Sequence, residues 1–115
     1  MSILTKDAIL SAQDRTTKDV EVPEWGGTVR LSMISATDRD AWEQQVYGGD
    51  KPNVSDFRAR FVALCLVDDK GARMFTDKEV AQLGSKSAAA LSRVFKAAQK
   101  LNALSDDEVE AAEKN

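Results

Sequence analysis

The sequence predicts a small, mainly α-helical domain of four or more helices with one or two short β-hairpins. Apolar residues recur at helical spacing in several segments, helix-capping sequences precede those segments, and two short runs alternate between apolar and polar residues. The chain has 115 residues, of which 43% are hydrophobic and 30% charged, so it fits one globular domain. We predict a short helical or mobile arm over residues 1–17 and a single domain over residues 18–115.

The first segments predict a helical arm followed by a hairpin. Thr5 is suited to cap a short helix that carries Ile9 and Leu10. Two alternating runs then flank the turn 23–27, which contains Gly26 and Gly27; their apolar members are Val20, Val22, Val29, Leu31 and Met33. A lone hairpin is only marginally stable in water, so this one is expected to pack on helices.

Helical patterns occupy the middle of the chain. Thr37 is the predicted N-cap of a helix with Trp42 and Val46 on one face. A second helix is predicted from about Ser55, with an apolar face formed by Phe57, Phe61, Leu64 and Cys65. The turn 68–71 follows, and we predict that residues 66–67 and 74–75 form a second short hairpin around it.

The last third of the chain contains two capping boxes and the longest helix. Thr76 and Glu79 open a short helix that Gly84 ends, and Ser85 or Ser87 caps a helix reaching about Asn102. The predicted buried face of this long helix comprises Ala88, Leu91, Val94, Phe95, Ala98 and Leu101. A second capping box at 105–108 predicts a final short helix.

Composition excludes most catalytic and metal chemistry. The chain has no histidine, which rules out a Ser/His/Asp triad, a Cys/His pair and any histidine-containing zinc site. The lone Cys65 forms no internal disulfide and is predicted to be a buried structural thiol. We predict no catalytic residue, cofactor or metal. The acidic residues of 106–113 lack the spacing of a calcium loop and suit a solvated helix end.

Charge and hydropathy limit the partners. The net charge of −3 argues against a nucleic-acid binder, and no apolar run is long enough to cross a membrane. Residues 76–104 carry five basic and two acidic residues, whereas residues 105–115 carry five acidic residues and Lys114. This asymmetry is typical of an ordinary wet helix face, but it also permits head-to-tail association of copies.

Three residues are candidates for partner binding. Trp25 lies at a glycine-flanked turn, where a large aromatic side chain is harder to bury and useful as an anchor. Ile9 and Leu10 would supply apolar contacts from the first helix. Because surface ion pairs contribute only about 0–1 kcal/mol each, such apolar contacts would have to dominate any self-association.

The order of these features resembles the tail assembly chaperones of long-tailed bacteriophages. Each motif is weak alone, and the specificity lies in their order over about residues 18–113. The matching segments are 20–31 (VEVPEWGGTVRL), 35–42, 63–71 (ALCLVDDKG), 74–77, 83–91 (LGSKSAAAL) and 97–102.

The resemblance implies a non-enzymatic protein that binds the tape measure protein, keeps it soluble and helps to recruit tail tube protein. It further implies a protein that acts in the host bacterial cytoplasm and is absent from the mature virion. We expect a homo-oligomer, because such a client is long and the interfaces of the chaperone should repeat along it. Many such chaperones are also made in a longer, frameshifted form. Two alternatives stay open: a structural virion component such as a head–tail connector or minor tail protein, and a small DNA-binding protein that uses the basic helix.

Overall fold

The computed structural model describes residues 3–51 and 56–104, which form five α-helices and one three-stranded antiparallel sheet. The elements are α1 Lys6–Ser11, β1 Thr17–Val22, β2 Gly27–Ser32, α2 Ala36–Tyr47, α3 Phe57–Cys65, β3 Leu66–Val67, α4 Val80–Gly84 and α5 Ala88–Leu101, with 3₁₀ turns at Pro23–Trp25 and Asp77–Glu79. The predicted final helix and acidic cluster, within residues 105–115, lie outside the described residues.

The first hairpin forms as predicted. β1 and β2 pair in antiparallel register, with Val20 opposite Val29, and the 3₁₀ turn joins them. Gly26 adopts a left-handed conformation (φ 77°) that favours glycine, and its N–H donates to the carbonyl of Pro23 at 3.0 Å. Because side chains alternate between the faces of a strand, the apolar residues of the hairpin fall together on one face, which α5 covers.

The predicted mainly α fold is corrected by the structure, and the predicted second hairpin forms only in part. Leu66 and Val67 form β3, which pairs with β2 through Leu31 and Arg30, so that the sheet order is β1-β2-β3. The turn after β3 forms the start of the predicted hairpin, because Val67 bridges Arg73 and the N–H of Met74 donates to the carbonyl of Leu66 at 3.1 Å. Leu66 and Val67 are buried, so pairing with β2 satisfies backbone groups that would otherwise leave water without partners. The fold is therefore mixed α and β.

The hydrophobic core lies between α3, α5 and the inner face of the sheet. Phe61 is fully buried, with its ring centroid 5.0 Å from that of Trp42 and 5.9 Å from that of Phe95. The predicted apolar face of α5 is confirmed at Leu91, Val94, Phe95 and Ala98, but Ala88 is exposed in the first turn and Leu101 is half-buried. Trp42 and Cys65 are buried as predicted.

Helix caps agree with the sequence at three positions and differ at one. The Thr5 and Ser87 hydroxyls accept hydrogen bonds from the N–H groups of Ala8 and Ala90, and the Thr76 N–H donates to Oε1 of Glu79 at 2.9 Å. The predicted cap at Thr37 is wrong. The N-cap of α2 is Ser35, which has an extended backbone conformation. Its hydroxyl accepts from the Asp38 N–H at 3.1 Å, which leaves Thr37 inside the first turn of α2.

The C-terminus of α5 is a Schellman motif. The N–H of Leu104 donates to the carbonyl of Gln99 at 3.0 Å, and the N–H of Ala103 donates to that of Lys100 at 3.2 Å. Leu104 is buried, which supplies the apolar contact typical of this motif. Ala103 has a φ of 54°, a left-handed conformation in which its Cβ is unfavourable.

Replacing Ala103 with glycine is therefore expected to stabilise the protein by about 1 kcal/mol, because glycine adopts positive φ without the Cβ penalty. Ala103 is exposed, so the substitution removes no buried contact. Urea denaturation of both proteins measures the difference. The matched control is Ala97→Gly inside α5, where glycine is expected to destabilise by about 1 kcal/mol. A loss of stability in Ala103→Gly would contradict the left-handed assignment.

Candidate interaction surface

The described residues do not assemble a recognisable metal or thiol-based site. No group of three or more acidic, cysteine or histidine residues within 3–51 and 56–104 is placed to hold a metal ion. Cys65 is buried at the end of α3, and burial raises the pKa of its thiol to about 12, although a hydrogen bond from Asn102 opposes that rise. The thiol is therefore uncharged near neutral pH and is a poor nucleophile.

The most exposed apolar side chains belong to the segment that precedes β1, which we call the N-terminal arm (residues 3–16). The exposed fractions are 95% for Ile3, 69% for Leu4, 57% for Ile9 and 73% for Leu10. Helix α1 buries none of its own residues. Elsewhere in the described chain, only Tyr47 and Met74 are large exposed hydrophobic residues. These exposed apolar side chains make the arm a candidate surface for contact with another protein.

A groove lies at the base of the arm, and we call it the root groove. Its volume is about 570 Å³, and its apolar lining comes from Met33, Ile34, Ala36, Leu101 and Ala103. Asp14, Arg15 and Arg39 supply charges to its wall. The Asn102 side chain fixes one side of the groove, since its Oδ1 accepts from the N–H of Ile34 at 2.8 Å.

The root groove was not predicted from the sequence. It combines the end of the arm, the link between β2 and α2, and the C-terminus of α5, which are far apart in the chain. One local signal was available, because Met33 and Ile34 are consecutive apolar residues just after the last paired strand position. Consecutive apolar residues at a strand end cannot both face one side of a sheet.

Trp25 lies in the 3₁₀ turn at the tip of the hairpin, where it is half-buried and packs against the core. Its neighbour Glu24 forms an ion pair with Arg93 of α5, and that hydrogen bond holds the pKa of the Glu24 carboxyl below its usual range. The hairpin tip is thus held to α5. The structure does not bring Trp25 together with Ile9 and Leu10 in one described groove, and its role as a partner anchor stays a prediction.

The charged side of α5 is exposed, as the sequence predicts for a wet helix face. Lys96 and Lys100 are exposed, and Arg93 pairs with Glu24. The acidic residues proposed to meet this face in a neighbouring copy lie outside the described residues. The electrostatic head-to-tail contact therefore stays a prediction. None of the helices within the described ranges is long and apolar enough to cross a membrane.

Together these features define a small protein of mixed α and β structure that presents an apolar arm and a neighbouring groove. The chain belongs to the phage tail assembly chaperone family, whose model matches residues 5–115. Its fold is similar to the structure of bacteriophage HK97 tail assembly chaperone, with a TM-score of 0.63, 23% sequence identity, and coverage of 87% of this chain and 95% of that chain. Comparison with curated proteins finds no match.

Proposed function

We propose that this protein binds the tape measure protein during tail assembly, keeps it soluble and helps to recruit tail tube protein. The role is non-enzymatic and is carried out in the cytoplasm of the host bacterium, and the protein does not stay in the mature virion. Membership of the tail assembly chaperone family supports this proposal. The observation that carries it is the exposed apolar surface of the N-terminal arm.

An apolar arm suits a chaperone because its contacts are reversible. Fully burying one leucine or isoleucine side chain contributes about 1.5–3 kcal/mol, and association itself costs several kcal/mol in lost freedom of motion. A single arm with four such side chains therefore binds weakly. Several copies acting on one long client gain affinity through multivalency, so we propose that the protein works as a homo-oligomer.

In a pull-down from cells that express both proteins, the arm variant Ile9→Asp/Leu10→Asp is expected to capture about tenfold less tape measure protein than the original. Each arm loses two apolar contacts, and the multivalent gain in affinity that depends on those contacts is lost with them. Both side chains are exposed, so the fold is expected to survive. Met74→Asp is the matched control, since it changes an exposed apolar residue outside the arm and is expected to bind as the original protein does.

Equal retention of tape measure protein by the arm variant and the original would show that the arm does not contribute to client binding. Mass spectrometry of purified virions addresses the last part of the proposal. We expect the chain to be missing from them, whereas a fixed copy number per particle would identify a structural component of the virion instead.

A further inference from the structure

The strand β1 forms one edge of the sheet, and no segment of residues 3–51 or 56–104 pairs with its outer side. It runs against β2 in continuous register, without a bulge. The opposite edge is partly covered, because Val67 of β3 bridges Arg73. We propose that the free edge of β1 binds an extended segment of a partner chain, in which basic and apolar residues alternate, as a further strand of the sheet. This contact goes beyond the proposed function, which uses the arm.

The hydrogen-bond register identifies the backbone groups that face the free edge. The N–H of Met33 donates to the carbonyl of Thr16 at 3.0 Å, so this pair and every second pair along the hairpin exchange hydrogen bonds. The residues between them, Thr17, Asp19 and Glu21, therefore point their N–H and carbonyl groups away from β2. All three are exposed. An extended segment can pair with this row of groups, whereas the backbone groups of a helix already bond to one another.

The side chains of β1 define the chemistry of the incoming strand. Asp19 lies on the outer face of the sheet and already pairs with Arg30, at 2.8 Å. Glu21 lies on the same face, opposite Thr28, and is exposed, so the residue that meets it is expected to be basic. Val20 lies on the other face, where it is half-buried and packs against the core. The residue beside Val20 is therefore expected to be apolar.

The same charges disfavour a second copy of β1 on this edge. An antiparallel pair of β1 strands centred on Asp19 sets this carboxylate against its counterpart in the other copy. The neighbouring registers set Lys18 against Lys18, or Asp19 against Glu21. Like charges directly opposite each other are destabilising, so each of these registers is unfavourable. A segment of complementary charge has no such repulsion.

The test uses the full-length protein and a synthetic peptide with capped ends, VKVKET. In antiparallel register this peptide places a lysine opposite Glu21 and a valine opposite Val20. The control peptide, VEVEKT, has the same pattern with its charges reversed. A single short strand binds weakly, because association and ordering offset most of the hydrogen bonding, so each peptide is titrated into the millimolar range.

Hydrogen exchange followed by NMR provides a readout specific to strand addition. Without peptide, the amides of Thr17, Asp19 and Glu21 are expected to exchange rapidly, while the alternate amides that bond to β2 are protected. With VKVKET, the three outward amides are expected to become protected as well. Binding elsewhere on the protein would not produce protection that fills in every second position of β1.

Two substitutions at one position separate the backbone contribution from the charge. Glu21→Pro removes the carboxylate and the outward N–H, and it leaves the pairing with β2 intact because that N–H takes no part in it. Glu21→Thr removes the same carboxylate but keeps the N–H. The affinity for VKVKET is expected to fall about threefold in Glu21→Thr and at least about tenfold in Glu21→Pro. Circular dichroism checks folding, and Thr17→Pro, at the first residue of β1, replaces Glu21→Pro if that variant unfolds.

Three results would overturn the inference: outward amides that stay unprotected at millimolar VKVKET, equal protection by the charge-reversed peptide, or a proline variant that binds as tightly as Glu21→Thr. Protection of the same amides in concentrated protein without peptide would also overturn it, by identifying the edge as a contact between copies. Each of these results leaves the pull-down of tape measure protein unaffected, so the proposed function stands or fails separately.

Discussion

Phe95→Ala is expected to lower the free energy of unfolding by about 3–5 kcal/mol, because it removes a large buried side chain and leaves a cavity that the core fills only in part. Phe95 is 2% exposed. Its ring packs edge-on against two others: its centroid lies 5.8 Å from that of Phe57 and 5.9 Å from that of Phe61. The substitution therefore weakens the contact between α3 and α5 at its centre.

Urea denaturation followed by tryptophan fluorescence measures this loss, since Trp42 packs on Phe61 in the same cluster. Domains of this size are stable by about 5–15 kcal/mol, so the expected change is a large share of the total. Lys96→Ala is the control: the next residue along α5 is exposed, and its replacement is expected to change stability by less than about 0.5 kcal/mol. A loss below about 1 kcal/mol in Phe95→Ala would place this helix face outside the core.

The second large effect is expected at Asn102, the C-cap of α5. Its Oδ1 accepts from the Ile34 N–H at 2.8 Å, and its Nδ2 donates to the Ala98 carbonyl at 2.9 Å and to Sγ of Cys65 at 3.5 Å. One side chain thus joins the link before α2 to α3 and α5. Asn102→Ala is expected to destabilise the protein by about 1–3 kcal/mol, because it leaves a partly buried N–H without its partner.

Asn102→Asp removes the hydrogen-bond donor of this side chain and keeps its acceptor. Aspartate keeps an oxygen that accepts from the Ile34 N–H, but its second oxygen faces the Ala98 carbonyl where an amide donor stood. The native state therefore favours the protonated acid. Because of this, the loss in free energy of unfolding relative to the original protein is expected to shrink as the pH falls through the pKa of the new carboxyl group. Urea denaturation near pH 7 and pH 4 measures this, with Lys100→Ala in the same helical turn as the control. A loss independent of pH would contradict the lost-donor explanation.

The parts of the fold predicted from the sequence are those that depend on neighbouring residues. The caps at Thr5 and Ser87 and the capping box from Thr76 to Glu79 are short-range hydrogen-bonding patterns, and they form as predicted. The burial of Phe95 and Ala98 follows from helical periodicity within a single element. Local patterns of this kind are sufficient to locate helices and to orient them toward a core.

Features that depend on distant residues were predicted less well. Residues 66–67 have the same strand propensity whether they pair only with the segment after their turn or also with β2, and only the placement of α3 brings them beside β2. The root groove likewise depends on three separate segments that meet at Asn102. Ile9 and Leu10 are exposed, and their role in partner binding stays a prediction.

We propose that this protein keeps the tape measure protein soluble by binding it. The most direct measurement is the soluble fraction of tape measure protein in bacteria that express it alone, with this chain, or with the Ile9→Asp/Leu10→Asp variant. We predict that the original chain raises the soluble fraction and co-purifies with its client, and that the variant does so much less. Tape measure protein that stays equally insoluble with and without the original chain, and does not co-purify with it, would contradict the proposed function.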